Sequence, residues 1–447
     1  MRPISREFWG WALYDWANSA FAVSILAVVF QLYFVDVLAT SGVDELGKSI
    51  NEVTLLGMTI PSGSLWAWSV AVSMIVVVVL APLIGAVADH AGRKKRFLLF
   101  FCYTGATATM LMVFLGVGMW QLGMLLFIVS NVCFVSGNVV YNGLLTEVTS
   151  TDEEVGFLSG FGWGLGYAAS FLMLLLNLVL IRYEIPSKEW SVRVSLLIVG
   201  VWWALFAIPT FFWVNERAKP KPLPPGKNMI TVGFSQLFRT LRCLPEYSQL
   251  LIFMAAFFLY SDGIQTIISQ AATFSRLALD ATMDQIIPAF LMIQLVAFFG
   301  SLLFIWIERR VGTKPALLGS LAIWVCLIMW AMVMQTMAEF YVMAFLGGLV
   351  LGVSQSASRT LFALMIPKTH SAEYFSLYAI VGKAASLVGP ILFGIGVLYA
   401  TRLENVPVVN SMAGAIFPLL LMVIIGGVIL MGVNVDRGRA QVKTVSN

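Results

Sequence analysis

The sequence predicts an all-α membrane protein: twelve transmembrane helices forming two six-helix pseudo-repeat bundles. Three observations predict it. Apolar residues make up 60% of the 447, charged residues only 11%, and the mean hydropathy is +0.90. A water-soluble domain of this size would have to expose large apolar patches to carry that composition. Second, runs of about 20 apolar residues, long enough to cross the hydrocarbon core as helices, begin near Phe8, Leu65, Phe97, Trp120, Val155, Val194, Tyr247, Asp284, Pro315, Phe340, Tyr374 and Asn410. Third, of the 27 Lys and Arg residues, nineteen fall in the alternate loops that share a side with both termini and six on the other side. The remaining two, Arg359 and Lys383, lie within spans. Cytoplasmic loops collect Lys and Arg, so both termini are expected on the cytoplasmic face of the inner membrane.

The elements follow in order. Phe8 to Leu38 is too long an apolar region for a cleaved leader and reads as a retained first helix. Between the second and third spans stands Gly85 to Arg96, GAVADHAGRKKR. Gly85 lets helix ends approach, Asp89 can accept hydrogen bonds at a helix end, and Gly92, Arg93 and Lys94 form a basic turn suited to a gate. This loop resembles the cytoplasmic motif of major facilitator superfamily transporters. Glu308 to Lys314 looks like a decayed second copy, with the acid one residue further from its glycine. Asn142 to Ser170 ends in GYAAS and Arg359 to Ser386 ends in GKAAS, so the fourth and fifth spans match the tenth and eleventh.

The repeat sets the domain boundaries. Residues 1–215 form the first six-helix bundle, 216–246 a cytoplasmic linker, and 247–447 the second bundle. Lys-Pro-Lys-Pro-Leu-Pro-Pro-Gly-Lys from Lys219 forbids both helix continuation and membrane burial. Gly233 to Pro245 is expected to form a short amphipathic helix on the inner surface, with Phe234, Leu237, Phe238 and Leu241 on one face. Gly156, Gly160 and Gly164 share a face on which helices of opposite halves can pack closely.

Polar residues within the spans carry the functional expectation, because an ionisable group taken out of water needs a cavity or a partner. Asp15 and Asn18 share a face of the first span. Asp262, Gln265 and Ser269 draw a stripe down the seventh, expected to face a cavity. Asn131, Asn138 and Asn142 repeat in the fourth, beside Tyr141 and above Glu147. Gln355 and Arg359 lie four apart in the tenth, and Gln294 and Lys383 extend the set in the eighth and eleventh. A cavity holding Asp262, Arg359 and Lys383 would offer both signs of charge to a zwitterion or small organic anion. Structural ion pairs locking the two halves together are the competing reading, and for Asn131 and Asn138 helix-to-helix hydrogen bonding is preferred.

At these residues the chain resembles a narrower group, the vacuole effluxer (Atg22-like) family within the major facilitator superfamily. The likeness rests on Tyr14-Asp15-Trp16-Ala17-Asn18-Ser19, Val140-Tyr141-Asn142-Gly143-Leu144-Leu145, Leu259-Tyr260-Ser261-Asp262-Gly263, and Ser356-Ala357-Ser358-Arg359 followed by Pro367. Membership implies the twelve-helix facilitator fold, with spans one, four, seven and ten around the pathway, and, for fungal relatives, export of amino acids from the vacuole. Glu147-Val148 departs from the expected Pro-Glu after Thr146.

Several function classes are disfavoured. No phosphate-cradling loop is present, and no metal spacing, activated Ser or Cys, or His-acid cluster points to an enzyme, cofactor or metal. The formal charge of +4 follows from topology and does not argue for nucleic acid. Cys102, Cys133, Cys243 and Cys326 read as packing residues. The leading expectation is a monomeric secondary transporter that moves a small amphipathic or zwitterionic, amino-acid-like solute by alternating access. Export is favoured, and proton coupling would run through Asp262, with Asp15 and Glu147 behind it. A transporter of lipid, lysolipid or hydrophobic drug with the same fold is the alternative, since Met and aromatic residues abound. A non-transporting receptor or scaffold is the second alternative.

Overall fold

A computed structural model describes residues 5–43, 49–50, 52–55, 58–217, 228, 231–232, 234–235, 238, 242, 244–279, 281, 283–400 and 408–445. The linker from Lys219 to Lys227, and Leu237, Leu241 and Cys243 of the expected surface helix, lie outside the described residues.

Twelve long helices are described: α1 (Arg6–Phe21), α2 (Ser62–Ala91), α3 (Lys94–Leu111), α4 (Trp120–Val148), α5 (Asp152–Arg182), α6 (Lys188–Phe206), α7 (Ser248–Leu279), α8 (Met283–Val311), α9 (Thr313–Ala331), α10 (Met337–Leu364), α11 (Ser371–Ala400) and α12 (Val408–Met431). A shorter α13 (Val435–Val445) follows. Among the described residues, ten helices are long and apolar enough to cross a membrane. Each long helix contains one of the expected runs. The largest shift is at α6, which starts six residues before Val194 because the polar Lys188-Glu189 pair still fits a helical first turn outside the apolar stretch.

Two local features were not expected. The first span is not uniformly α-helical: wide π-type turns over Ala22–Ala27 and Phe34–Leu38 flank a short α segment, Val29–Tyr33. Beyond it, Gly42–Val43 pairs with Ser49–Ile50 and Glu52–Leu55 with Met58–Pro61 as short antiparallel ribbons. Val53, Thr54 and Ile60 suit such a ribbon by their branched side chains.

Helix starts follow ordinary capping chemistry. The Thr151 hydroxyl accepts the Glu154 N–H at 3.3 Å while the Glu154 carboxylate accepts the Ser150 N–H at 2.7 Å. Thr336 and Glu339 repeat the device at α10, with the Gln335 N–H donating to Glu339 at 2.9 Å. Both are Thr-x-x-Glu pairs that satisfy amides a helix start leaves open.

The chain divides into two compact units, residues 1–144 with 165–233, and residues 145–164 with 234–447. Helix α5 therefore contributes its first half to the second unit and its remainder to the first. Within the first unit α6 packs on α3 and α1. Within the second, α8 packs on α10, and α7 packs on both α11 and α12. At the α8–α10 crossing Gly352 lies against the backbone of Ala297 and Ser301 so closely that a Cβ there would overlap it. Small residues permit this approach where there is no water to drive helices together. Gly156, Gly160 and Gly164 of α5 all face α8, where they meet Glu308, Ile305 and Leu302.

The basic turn between α2 and α3 is built around a buried ion pair. Helix α2 ends at Ala91, Gly92 takes the left-handed conformation (φ 57°) that glycine adopts without strain, and α3 begins at Lys94. The Lys94 ammonium then folds back to Asp89 at 2.8 Å, both side chains being out of solvent, with Gly85 buried one turn earlier in α2. Lys95 donates to the Val214 carbonyl at 2.6 Å and its N–H donates to Glu216 at 2.7 Å. The second copy obeys the same plan. Gly312 (φ 87°) separates α8 from α9, Thr313 donates to Glu308 at 2.6 Å, and Lys314 donates to the Met431 and Val433 carbonyls at 2.8 and 2.6 Å. In both copies the acid bonds the residue five further on, and the next lysine caps the end of a distant helix.

Breaking a buried pair strands the remaining charge, which costs about 3–5 kcal/mol. Asp89→Asn should therefore lower unfolding stability by roughly that amount in a detergent titration, and Asp89→Asn with Lys94→Met should recover most of the loss. An unchanged midpoint for the single variant would show that the pair carries no stability.

Candidate functional site

The second unit carries an open cavity of ≈ 300 Å³ lined by α7, α10, α11 and the first half of α5. Its lining combines aromatic rings with hydroxyls and amides. Phe257 stacks on Tyr378 with ring centres 4.4 Å apart, and Trp163 contributes from α5. Tyr260 shares a hydrogen bond of 2.8 Å with Ser358, whose own hydroxyl donates to the Ser354 carbonyl at 2.7 Å. Ser354 in turn donates to the Val350 carbonyl at 2.7 Å. Such back-bonding lets serines sit inside an apolar helix. Gln265 and Gln355, both partly exposed, present amides to the same space.

Two expected cavity charges face elsewhere. The Asp262 carboxylate is fully buried, accepting the Gly389 N–H of α11 at 2.8 Å and the Thr266 hydroxyl at 3.3 Å. The expected stripe of Asp262, Gln265 and Ser269 is thus divided. The first two residues differ by about 60° around the helix, which places Gln265 on the cavity and Asp262 against α11. Ser269 bonds the Thr266 carbonyl at 3.1 Å. Arg359 is 3% exposed and lies next to the cavity without lining it. Its guanidinium donates to the Ser159 hydroxyl at 2.9 Å and the Ser159 carbonyl at 2.5 Å, 5.1 Å from the Trp163 ring. It fastens α10 to α5 through hydrogen bonds. The Lys383 side chain lies outside the described residues. Gln294 is half-buried on α8 and does not line this cavity.

The first unit gathers the remaining candidates. Asn18 donates to Asn138 at 2.7 Å, joining α1 to α4. Tyr141 is fully buried under Trp11 and Tyr14, with ring centres 4.4 and 4.7 Å away, and its carbonyl accepts the Trp11 indole N–H at 3.2 Å. Asp15 is buried on the same helix, one turn from Asn18, and Asn142 is half-buried beside Tyr141. Asn131 donates to Ser73 at 2.8 Å, a helix-to-helix bond between α4 and α2.

Around the start of α5 the second unit carries a charged collar. Arg309 meets Glu153 at 3.3 Å and stacks over Phe157, while Arg439 of α13 meets Asp152 at 2.8 Å. These pairs are partly solvated and individually weak. Glu308 backs onto Gly156 directly above them. Sequence reasoning missed Ser159, Trp163 and Tyr378, and it gave no individual role to Tyr260 and Ser358, which it met only within the family-like stretches. The first two occupy the glycine-rich face of α5, where the spacing pointed only to packing. The others are ordinary residues in helices already rich in aromatic and small side chains.

Comparison with known proteins places this arrangement. A family model described as "Vacuole effluxer Atg22 like" matches residues 4–443. An uncharacterized MFS-type transporter, YxiO, of Bacillus subtilis (strain 168) is 30% identical over 96% of this chain and 95% of its own length. Autophagy-related protein 22 of Pyricularia oryzae is 24% identical over 98% of this chain and 78% of its own. Among solved structures, the human organic anion transporter MFSD10 superposes with a TM-score of 0.67 over 96% of this chain and 100% of its own, at 13% identity, a likeness of fold. A multi-pass membrane chain with these helices, this repeated turn and this whole-length match belongs to the Atg22-like vacuole effluxer family of major facilitator transporters, and is a transporter, not an enzyme.

Proposed function

We propose that the chain is a secondary carrier for a small amphipathic, amino-acid-like solute, working by alternating access of two six-helix halves, residues 1–215 and 247–447, joined by the 216–246 segment. Export across the cytoplasmic membrane, with both termini inside, is the direction and topology this reading adopts. The observation that carries it is the cavity of the second unit. It pairs an aromatic wall of Phe257, Tyr378 and Trp163 with the amides of Gln265 and Gln355 and the hydroxyl chain of Tyr260, Ser358 and Ser354. A solute with an apolar part and a hydrogen-bonding part suits such a mixed lining, and few polar groups suffice to orient it.

Charge enters indirectly. Arg359 lies behind Trp163, and its donors are already directed at Ser159. Asp262 ties α7 to the backbone of α11, so taking up a proton there would weaken a charge-assisted bond between the pathway helix α7 and its neighbour α11 and loosen their packing. Proton coupling in this reading works through helix packing, without direct contact to the solute.

Four outcomes test the proposal. A thermal-shift screen over amino acids and related small molecules should find a stabilising ligand by mass action. Gln355→Ala or Gln265→Ala should weaken that ligand about tenfold, the equivalent of one hydrogen bond, with matching loss of flux in proteoliposomes. A ligand that stabilises wild type and both variants equally places its site elsewhere. Asp262→Asn should keep ligand affinity within about twofold yet abolish the response of flux to a pH gradient; gradient-driven flux at the wild-type rate removes Asp262 from coupling. Arg359→Ala removes the charge-assisted bonds to Ser159 and should cost about 1.5–3 kcal/mol of stability, and a large loss of ligand affinity with unchanged stability would instead make it a contact residue.

A further inference from the structure

Of the four cations in the turn between α2 and α3, two are consumed internally: Lys94 by Asp89 and Lys95 by the Val214 carbonyl. The other two, Arg93 and Arg96, are exposed, and neither guanidinium is ion-paired among the described residues. Both line a groove of ≈ 530 Å³ between the last turns of α2 and the first turns of α3. Everything else in the groove is apolar, including Ile84 and Val87 on one wall and Phe97 and Phe100 on the other, with Phe100 60% exposed.

This arrangement has two ends of different chemistry. The turn joins α2, a 30-residue helix, to α3, which is long and apolar enough to cross a membrane, so the arginines would stand at one membrane surface while the aromatic and aliphatic walls run from there towards the hydrocarbon. A soluble anion would use the guanidinium pair and leave the walls unfilled. A neutral lipid would fill the walls and leave two cations uncompensated. We propose that the groove is a binding site for an anionic phospholipid of the leaflet facing the α2–α3 turn, its phosphate bridged by Arg93 and Arg96 and one acyl chain laid along Ile84, Val87, Phe97 and Phe100.

The chemistry favours this occupant over an acidic protein segment, because the walls are continuous with the lipid-facing surface. Arg is the better residue for the task, since its planar fork bonds two phosphate oxygens at once where Lys offers a point charge. Basic pockets between transmembrane helices bind anionic headgroups for these reasons. The bound lipid would sit one residue from the Asp89–Lys94 pair, on the outer side of the turn that pair holds.

The test uses the purified full-length protein in nanodiscs. Phosphatidylglycerol carrying a photoactivatable acyl chain is the probe, and phosphatidylcholine of the same chains, glycerol phosphate and an acidic peptide are the competitors. Wild type should label on peptides containing Ile84, Val87, Phe97 or Phe100, and should retain phosphatidylglycerol roughly thirtyfold better than phosphatidylcholine, the effect of two cations near a membrane surface. Glycerol phosphate and the peptide should not displace it. Arg93→Gln with Arg96→Gln, both at exposed positions, should reduce retention to the phosphatidylcholine level. Labelling confined to other helices, equal retention of the two lipids by wild type, displacement by glycerol phosphate or peptide, or undiminished selectivity in the double variant would each overturn the proposal, and the wild-type arms do so without relying on the variant.

Discussion

Inside a bilayer a polar side chain has no water to fall back on, and that constraint organises both units. Several buried polar groups have found a partner within reach: Asp262 a backbone amide of α11, Arg359 a serine on α5, Asn18 another asparagine on α4, Lys94 an aspartate five residues back. These bonds select which helix faces meet, because dispersion between apolar faces is nearly indifferent to rotation in lipid. Close packing then follows at positions such as Gly352, where backbone lies against backbone.

The same constraint separates fastening from binding. Charges are spent on helix-to-helix joints, whereas the cavity of the second unit is lined among the described residues by aromatic rings, amides and hydroxyls. Neutral groups orient a solute through several modest bonds, each easily remade, and a carrier must release what it binds. A full buried charge pointing into the same space would hold an oppositely charged solute too tightly unless balanced.

Much of the architecture was readable in advance because its signals are local. Span length, the alternation of Lys and Arg, and the Gly-Asp-Gly-Arg-Lys turn each occupy a short stretch, and the lipid environment leaves little freedom in interpreting them. The wide turns of the first span and the ribbons after it carried no comparable signal. Side-chain roles were less legible. Sequence gives the depth of Asp262 and Arg359 in the membrane but not which neighbour their faces meet, and their partners, Gly389 and Ser159, are 127 and 200 residues away. The aromatic wall was hidden by abundance, since with 32 Phe, 12 Tyr and 14 Trp no single ring stands out.

The two glycine turns have an implication for how such a chain arises. In each, an acid clasps the residue five ahead and the following lysine reaches the end of a helix more than a hundred residues downstream, Val214 in one case and Val433 in the other. Both stitches close inside a single unit, so each set of helices carries its own seam and needs nothing from its counterpart to close it. A duplicated ancestral gene could therefore have supplied two copies that were each competent from the start, leaving later divergence free to shorten one loop by a residue and trade a lysine for a threonine without undoing the stitch.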